Sequence, residues 1–580
     1  MPSIPVEFTG ERAGEGPLTL GQLDMYNWLS QAPDDFYAIL RAELPVPDVV
    51  VSVGDVAEAA GVLITRHESL RTTLVPGEQP RQRVAAAGVQ LLEVCSLGEG
   101  QWGPGDRPAV AEALVGWLRE SPDPGPGPLR VAVAVAPDLG DRVIACAAAF
   151  SHLAVDHGSI GILKREFAGL LGDPARRQAS RRRSGGRPRH QPLDQAALEA
   201  TPAERHRAEA ALDYLREQSW RFPRWLYALP GAQASGESLE VQLSSVAAAM
   251  AVRCVAARTR TSRSSAVLAA ICAVVGRRAG YRELVFPVSS SNRFEPRLVN
   301  YVGALAQGST ATVEIGGRGF DELTVRTWTT VMEASRHGRY NTVKRDAMAE
   351  CIEHERGMRF DYGPLFISVV PESWSGLTAG VGFRFQPGEM DAALARTELR
   401  WRRLPVSPTP IEFTLNQIDG CMRLDAWGGD AGLLPRAELE SVLLAVERLL
   451  VAAAHGDVPA GQLPGLIGLE PLAAQDRILV DHCWVDATAV QRLVEDAIAP
   501  RVARVFASHG GRPLVAHLTA TDDVHTPEQA HARCMAALAH HPTAITPRHY
   551  VICATAPPDP SDPAAWPAPL ATGTGRTRTR

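Results

Sequence analysis

The sequence contains very little lysine: Lys164 and Lys344 are the only two among its 59 basic residues. Neither lies in a glycine-rich loop, which argues against a lysine-dependent phosphate loop, and few positions remain for a Schiff-base lysine. Nine cysteines occur, none in a CxxC pair, and several lie inside apolar runs. This usage is typical of buried thiols in a reducing compartment and argues against a disulfide framework or a zinc site.

Long apolar runs and an excess of basic charge are also missing. The longest purely apolar run, residues 266–275, has ten residues, whereas a helix that spans a bilayer needs about 20. The N-terminus lacks the basic-then-apolar pattern of a secretory signal, so we expect a cytoplasmic protein. The net charge of −6 argues against nucleic-acid binding, which usually uses a basic surface.

Strand and helix patterns alternate along most of the 580 residues, which predicts an α/β protein of more than one domain. Two apolar runs, residues 129–137 and 141–150, predict strands joined by a turn, and apolar residues at helical spacing follow over 160–171. A stretch rich in Arg, Ser and Gly around residues 172–192 predicts an exposed linker. A basic patch for a partner is the alternative interpretation of that stretch.

Several polar side chains meet in the short stretch SHLAVDH, directly after the second of these strands: Ser151, His152, Asp156 and His157. A strand end beside a helix start supports a reactive side chain rigidly, and histidine accepts a proton near neutral pH. Asp156 could orient the imidazole, pair with an arginine or cap the helix. A metal site is not expected, because the two histidines are five residues apart and no third ligand lies nearby.

Four segments, in chain order, resemble motifs of the condensation domains of nonribosomal peptide synthetases. SHLAVDHGS resembles the HHxxxDG active-site motif, and PLTLGQLDMYNWL resembles the N-terminal signature. RHESLRTTL (residues 66–74) resembles the second motif, and VFPVSSSNRFEPRLVNYVGALAQGS resembles a later one. The resemblance covers about residues 15–465, and four ordered motifs are far more specific than any one of them.

The resemblance implies an α/β fold with two chloramphenicol-acetyltransferase-like lobes, each an α/β sandwich, that form a V-shaped pseudo-dimer. It predicts an N-terminal lobe at 1–172, an arginine-rich linker at 173–195 and a C-terminal lobe at 196–465. Residues 466–568 resemble the small C-terminal subdomain of adenylate-forming enzymes. That family needs a lysine for adenylation and this section has none, so we expect a non-catalytic small α/β domain. Residues 569–580 are expected to be a disordered tail.

The same resemblance assigns a role to each residue of the motif. His152 is implied to be the catalytic histidine, which deprotonates or positions the nucleophile. Asp156 is implied to be structural and salt-bridged to Arg293. The resemblance also gives structural places in the catalytic loop to Ser151, His157 and Gly158, and supporting places to Arg66, Arg71, Asn292 and Gln307.

Three positions depart from the family pattern. Ser151 stands where the motif has its first histidine, and Gln307 stands where the family commonly has asparagine. His157 occupies the place of the motif glycine and Gly158 follows it. We interpret the glycine as shifted by one position.

The function implied is that of a free-standing condensation enzyme in natural-product biosynthesis. It would transfer an acyl or aminoacyl group from the phosphopantetheine thioester of a carrier protein to an amine or alcohol, which makes an amide or ester. We expect no bound cofactor or metal, no nucleic-acid or membrane partner, and a monomer. Two alternatives stay open: a coenzyme A-dependent acyltransferase of the same superfamily, and a non-catalytic condensation-like domain that recruits other enzymes.

Overall fold

The computed structural model describes residues 2–31, 38–98, 104–120, 127–136, 142–175, 177, 190–226, 229, 235–360, 366–369, 388–404, 411–472, 477–509, 512–541 and 543–576. The chain divides into two compact units. The first unit contains Met1–Leu212, Ser290–Gln307 and Arg336–Lys344, and the second contains Asp213–Ser289, Gly308–Ser335 and Arg345–Arg580.

This division differs from the lobes expected from the sequence. Residues 196–212, 290–307 and 336–344 were expected in the C-terminal lobe, but they belong to the first unit. Residues 466–568, expected as a separate domain, group with the second unit. The chain leaves and re-enters the first unit, and a local sequence pattern carries no sign of such excursions.

The first unit is an α/β assembly with two sheets. A five-stranded sheet has the order β1-β6-β7-β8-β3 and a three-stranded sheet the order β2-β5-β4. Its elements are β1 (Ser3–Thr9), β2 (Gly14–Pro17), α1 (Leu20–Gln31), β3 (Ile39–Leu44), α2 (Val53–Arg66), β4 (Thr72–Val75), β5 (Arg81–Val84), β6 (Ala87–Ser96), α3 (Arg107–Glu120), β7 (Leu129–Val135), β8 (Val143–Ser151), α4 (His157–Gly172), α5 (Pro192–Glu199) and α6 (Pro202–Ser219), whose end lies in the second unit.

Strand β8 is covered on both faces. Cys146, Ala148 and Phe150 pack with apolar residues of α2 and α4, whereas Ala145 and Ala147 on the other face pack with α3. The two faces alternate because successive side chains of a strand point in opposite directions. The small alanines let α3 lie close to the sheet, so the end of β8 is held rigidly.

The second unit contains a seven-stranded sheet of order β11-β10-β12-β14-β15-β9-β13. Its elements are β9 (Ser238–Ser245), α7 (Val246–Thr259), α8 (Arg263–Ala279), β10 (Glu283–Ser290), β11 (Gln307–Glu314), α9 (Phe320–Arg336), α10 (Thr342–Arg356), β12 (Phe366–Val369), α11 (Glu389–Leu394), β13 (Glu398–Leu404), β14 (Ile411–Gln417), β15 (Met422–Gly428), α12 (Arg436–His455) and α13 (Leu463–Ile467). Helices α7, α8 and α12 contribute most of the large apolar core of this unit.

The C-terminal section has its own apolar cluster within the second unit. A hairpin of β16 (Arg477–Val480) and β17 (Cys483–Asp486) leads to α14 (Ala487–Ile498). A four-stranded sheet follows, formed in spatial order by β18 (Ala503–His509), β19 (Arg512–Thr519), β20 (His549–Cys553) and β21 (Pro569–Gly573), with α15 (Pro527–Ala537) between β19 and β20 in sequence.

The expectation of a disordered tail from residue 569 is wrong for residues 569–576. Strand β21 pairs antiparallel with β20, and the Arg576 guanidinium donates hydrogen bonds to the carbonyls of Glu355 (2.9 Å) and Pro547 (3.1 Å). A proline- and threonine-rich composition lowers the local propensity for regular secondary structure. Here the edge of a sheet supplies hydrogen-bond partners for the backbone. Residues 577–580 lie outside the described residues.

Most of the expected linker, residues 176 and 178–189, also lies outside the described residues. Its C-terminal end is helical, because α5 begins at Pro192 with Gln191 and Asp194 forming a capping box. Among the residues that the structure describes, no helix combines the length and apolar character needed to cross a membrane.

Candidate active site

The turn that carries His152 is fixed by backbone hydrogen bonds on both sides. Strand β8 ends at Ser151, whose N–H donates to the carbonyl of Pro128 (2.9 Å). The N–H of His152 donates to the carbonyl of Ala38 (3.0 Å), just before β3. The N–H of Ala154 closes the turn on the Ser151 carbonyl (2.9 Å). The imidazole therefore extends from a backbone tied to the neighbouring strands.

Asp156 is buried and caps the helix that follows. Its Oδ1 accepts the N–H of Ser159 (2.8 Å) at the start of α4, and its Oδ2 accepts the N–H groups of Leu305 (3.1 Å) and Ala306 (2.9 Å). The Arg293 guanidinium donates to both carboxylate oxygens, at 2.7 and 2.9 Å. Burial opposes ionisation, but the Arg293 charge and these bonds outweigh it and lower the pKa of Asp156 to about 2.

The ion pair expected between Asp156 and Arg293 is thus present. The guanidinium also donates to the Ser159 hydroxyl (2.9 Å) and to the carbonyls of Ser291 (3.1 Å) and Tyr301 (3.3 Å). With so many acceptors the guanidinium is held in one position. It connects the start of α4 to the segment 291–303, which returns to the first unit after β10.

Asn292 supports this geometry from the backbone. It adopts a left-handed conformation (φ 54°), which asparagine tolerates better than most residues. Its amide group donates to the carbonyls of Leu305 (2.9 Å) and Gly338 (2.6 Å). A Cβ at Gly338 would approach the Asn292 Oδ1 to 2.8 Å. The chain is therefore turned sharply immediately before Arg293.

Gly158 leaves room for the guanidinium. A Cβ at this position would lie 2.7 Å from Nη1 and 2.9 Å from Cζ of Arg293, closer than Cβ atoms approach other heavy atoms. A side chain at position 158 would therefore displace the Arg293 guanidinium. His157 itself is exposed at the first position of α4. Its ring lies edge-on to His152, with 6.2 Å between the ring centres.

The His152 imidazole is largely removed from solvent. Its Nδ1 is buried, and no atom in the described part of the chain meets hydrogen-bond geometry with it. Desolvation lowers the pKa of His152, while nearby backbone carbonyls, including that of Val155, and the charges of Asp156 and Asp24 act in the opposite direction. The indole of Trp28 on α1 packs edge-on, 6.2 Å between ring centres. Desolvation therefore favours the neutral form of the imidazole.

The other expected residues contact different parts of the first unit. Arg66 pairs with Glu166 on α4 (2.7 Å), so it braces the helix that Asp156 caps. Gln307 is buried and its Nε2 donates to the carbonyl of Tyr340 (3.1 Å). Arg71 donates to the carbonyls of Arg12 and Ala85. It therefore braces the loops around the three-stranded sheet, and the supporting role expected for Arg71 stays a prediction.

Some parts of the site were not assigned a role from the sequence. The Ser159 hydroxyl accepts the N–H of Gly303 (3.0 Å) as well as the Arg293 bond, so it ties α4 to the returning segment. Trp28 lies in the segment PLTLGQLDMYNWL, where only the family resemblance pointed to function. Within the described residues no cluster of three or more His, Cys, Asp or Glu side chains could hold a metal ion.

Comparison with known proteins identifies the fold through structure alone, since no protein-family model and no curated protein sequence matches. A condensation domain that mediates chain release from the enacyloxin polyketide synthase is 19% identical, with a TM-score of 0.57 over 81% of this chain and 86% of that one. The SgcC5 protein from Streptomyces globisporus is 17% identical, with a TM-score of 0.52 over 77% of this chain and 100% of that one.

The first condensation domain of the calcium-dependent antibiotic synthetase is also similar. It is 16% identical, with a TM-score of 0.54 over 76% of this chain and 96% of that one. Structural likeness at these identities defines the fold. The chain has the α/β fold of the condensation domains of nonribosomal peptide and polyketide synthetases, which is the chloramphenicol acetyltransferase-like fold expected from its motifs.

Proposed function

We propose that this protein is a condensation enzyme that transfers an acyl or aminoacyl group from a carrier-protein phosphopantetheine thioester to an amine or alcohol. The observation that supports it most directly is the His152 turn. Desolvation favours the neutral imidazole, and the carboxylate of the same turn is held by Arg293, three backbone N–H groups and the Ser159 hydroxyl. The reaction needs a general base that is held at a fixed position relative to the substrate.

In this proposal the imidazole works through Nε2. Nδ1 is buried, so we take Nε2 as the nitrogen that accepts the proton of the substrate. The acceptor nitrogen or oxygen attacks the thioester carbonyl, and Nε2 receives its proton. The C–S bond breaks, and the proton passes to the departing phosphopantetheine thiolate. The products are an amide or ester and a free thiol.

Asp156 and Arg293 act here as positioning residues. Both are engaged with each other and with backbone groups, so neither is available to exchange protons during turnover. The low pKa of Asp156 keeps it charged, which stabilises the start of α4 and hence the turn. Holding both substrates in line beside His152 supplies a large part of the acceleration in reactions of this kind.

The experiment is intact-protein mass spectrometry of an acyl-loaded carrier protein incubated with candidate amines and alcohols. We expect wild type to unload the carrier into a new amide or ester and His152→Ala to fall to the rate without enzyme. His206→Ala, which changes an exposed histidine of the first unit, is the matched control and should retain activity. Equal rates for wild type and His152→Ala would refute the catalytic proposal.

Two further arms separate the alternatives. Turnover with free acyl-coenzyme A at the rate seen with the loaded carrier would favour a coenzyme A-dependent acyltransferase. Binding of the loaded carrier without turnover, under conditions where the protein is folded, would favour a recruitment role. We also propose that the protein acts as a monomer with no bound cofactor. Size-exclusion chromatography with light-scattering detection would test the monomer, and native mass spectrometry would test for a bound cofactor.

A further inference from the structure

A cavity of about 220 Å³ lies in the first unit on one side of the catalytic turn. Three residues of the turn line it, Ser151, Leu153 and Ala154, and the first two are the sequence neighbours of His152. His152 itself is not among the lining residues. The cavity therefore begins one residue away from the catalytic side chain, and it plays no part in the proton transfer described above.

The walls of the cavity are mainly apolar. Leu18, Ile39, Leu74 and Ala154 line it together with Leu153. They come from the segment before α1, from β3, from β4 and from the turn. These side chains would remove an apolar group from water, which makes the free energy of binding more favourable by about 25 cal/mol for each Å² of apolar surface buried.

Three polar side chains at the wall, those of Gln22, Gln82 and Thr72, already have hydrogen-bond partners within the protein. The amide of Gln22 donates to the Gln82 Oε1 (3.3 Å), and the amide of Gln82 donates to the carbonyl of Pro17 (2.9 Å). The Thr72 hydroxyl donates to the carbonyl of Glu68 (2.6 Å). Since these groups do not need a partner from a ligand, an uncharged group can enter the cavity without leaving them unpaired.

The volume indicates the size of the occupant. An apolar cavity of about 150 Å³ in another protein binds benzene, so a cavity of about 220 Å³ accommodates one six-membered ring with a short substituent. Ser151 borders this space with a hydroxymethyl group, whereas the family motif described above has histidine at that position. An imidazole there would extend into the cavity and reduce its volume.

We propose that this cavity is a substrate subsite that binds an uncharged, apolar group of about the size of a substituted benzene ring, and that Ser151 keeps it open. The inference rests on the proposed condensation function and deepens it, because it assigns a chemical class to part of the substrate. The group belongs either to the acyl chain of the donor or to the acceptor, and both would present the same chemistry to these walls.

The first test measures binding without turnover. Benzyl alcohol is the probe, and its binding to the full chain is followed by ligand-observed NMR. Thr73 is exposed on β4 at the cavity wall, so Thr73→Trp should fill the cavity without disturbing a core. Val75→Trp is the control, because it introduces the same side chain on the same strand at a position that does not line the cavity.

Wild type and Val75→Trp should bind benzyl alcohol alike, and Thr73→Trp should bind at least about tenfold more weakly, a change of about 1.4 kcal/mol. Ser151→His should also bind benzyl alcohol more weakly than wild type. Failure of wild type to bind, or equal weakening by both tryptophan variants, would overturn the inference.

The second test assigns the source of the group by transfer assays. One arm compares phenylacetyl with acetyl donors at a fixed acceptor, and the other compares benzylamine with methylamine at a fixed donor. The arm in which Thr73→Trp, but not Val75→Trp, raises the KM for the phenyl-bearing substrate more than the KM for the small substrate identifies the source. Loss of binding with no change of preference in either arm would overturn the substrate role. If wild type transfers no acyl group at all, the proposed function fails, and the binding test still decides whether the cavity takes an apolar ring.

Discussion

Gly158→Ala tests the packing of the His152 turn with the addition of a single methyl group. The new Cβ would lie 2.7 Å from Nη1 of Arg293, and relief of that contact moves the guanidinium by about 0.7 Å. The bonds to Asp156, now 2.7 and 2.9 Å, would then exceed the range of about 2.7–3.2 Å in which such bonds are effective. Uncoupling a buried ion pair costs about 3–5 kcal/mol.

Alanine also favours a helix by about 1 kcal/mol over glycine, so the net effect expected for Gly158→Ala is a loss of about 2–4 kcal/mol of local stability. Gly161→Ala is the matched control on the same helix. Its Cβ would meet only the Arg165 Nη1, at an ordinary 3.8 Å. It should stabilise α4 by up to about 1 kcal/mol, so the two variants are expected to differ in sign.

Hydrogen–deuterium exchange followed by mass spectrometry is the assay, because it reports local opening in a protein with two units. Peptides from α4 and from residues 293–306 should exchange at least about 30-fold faster in Gly158→Ala than in wild type, which corresponds to about 2 kcal/mol. Adding Gly158→Ala to Arg293→Ala should lower the local stability no further, because the guanidinium with which the methyl group clashes is absent. Wild-type exchange rates in Gly158→Ala, or full additivity in the double variant, would refute the reasoning.

Three further predictions concern pH and the ends of the fold. Desolvation lowers the pKa of His152, and the proposed mechanism uses the neutral imidazole as the base. The acid limb of kcat/KM for acyl transfer should therefore lie below pH 6.5; a limb above that value would contradict the assignment. Burial raises the pKa of Glu199 to about 7 from 4.5. Its stabilising contribution is therefore complete below pH 4.5 and disappears as pH rises through about 7. Glu199→Gln should flatten this part of the stability profile in urea titrations, and an unchanged profile would show that another group is responsible. Deletion of residues 569–580 should expose the edge of β20, which lowers the melting temperature and increases light scattering on heating; unchanged melting and scattering would show that β21 contributes little.

Much of the fold could be predicted from periodicity because the strands and helices near the site are strongly patterned. The run before Ser151 is apolar at every position, as expected for a strand buried on both faces, and the spacing after Gly158 is helical. Residues 410–427 also have the sequence pattern of a hairpin, and β14 and β15 pair antiparallel there. These signals are local, so a single sequence is sufficient to reveal them.

The parts that could not be predicted depend on contacts between distant residues. Nothing local marks residues 290–307 as part of the first unit, and the steric need for Gly158 becomes visible only when Arg293 is placed beside it. The need for contacts between distant residues also explains why the order of the C-terminal tail was not predicted. Composition predicted disorder after residue 568, but the unpaired edge of β20, a feature of the folded sheet, orders the chain there.

The distance in sequence between Asp156 and its counter-ion has a consequence for synthesis on the ribosome. Arg293 follows Asp156 by 137 residues, and at about 5–20 residues per second that segment takes about 7–27 s to translate. During this interval burying Asp156 would leave a carboxylate without its cation, which is strongly unfavourable. We therefore expect the first 200 residues to stay open around β8 and α4 while they emerge, and to close only after the returning segment has left the exit tunnel. Slower elongation before residue 293 would prolong this exposed state, so chaperone demand should depend on translation speed in that stretch of the message.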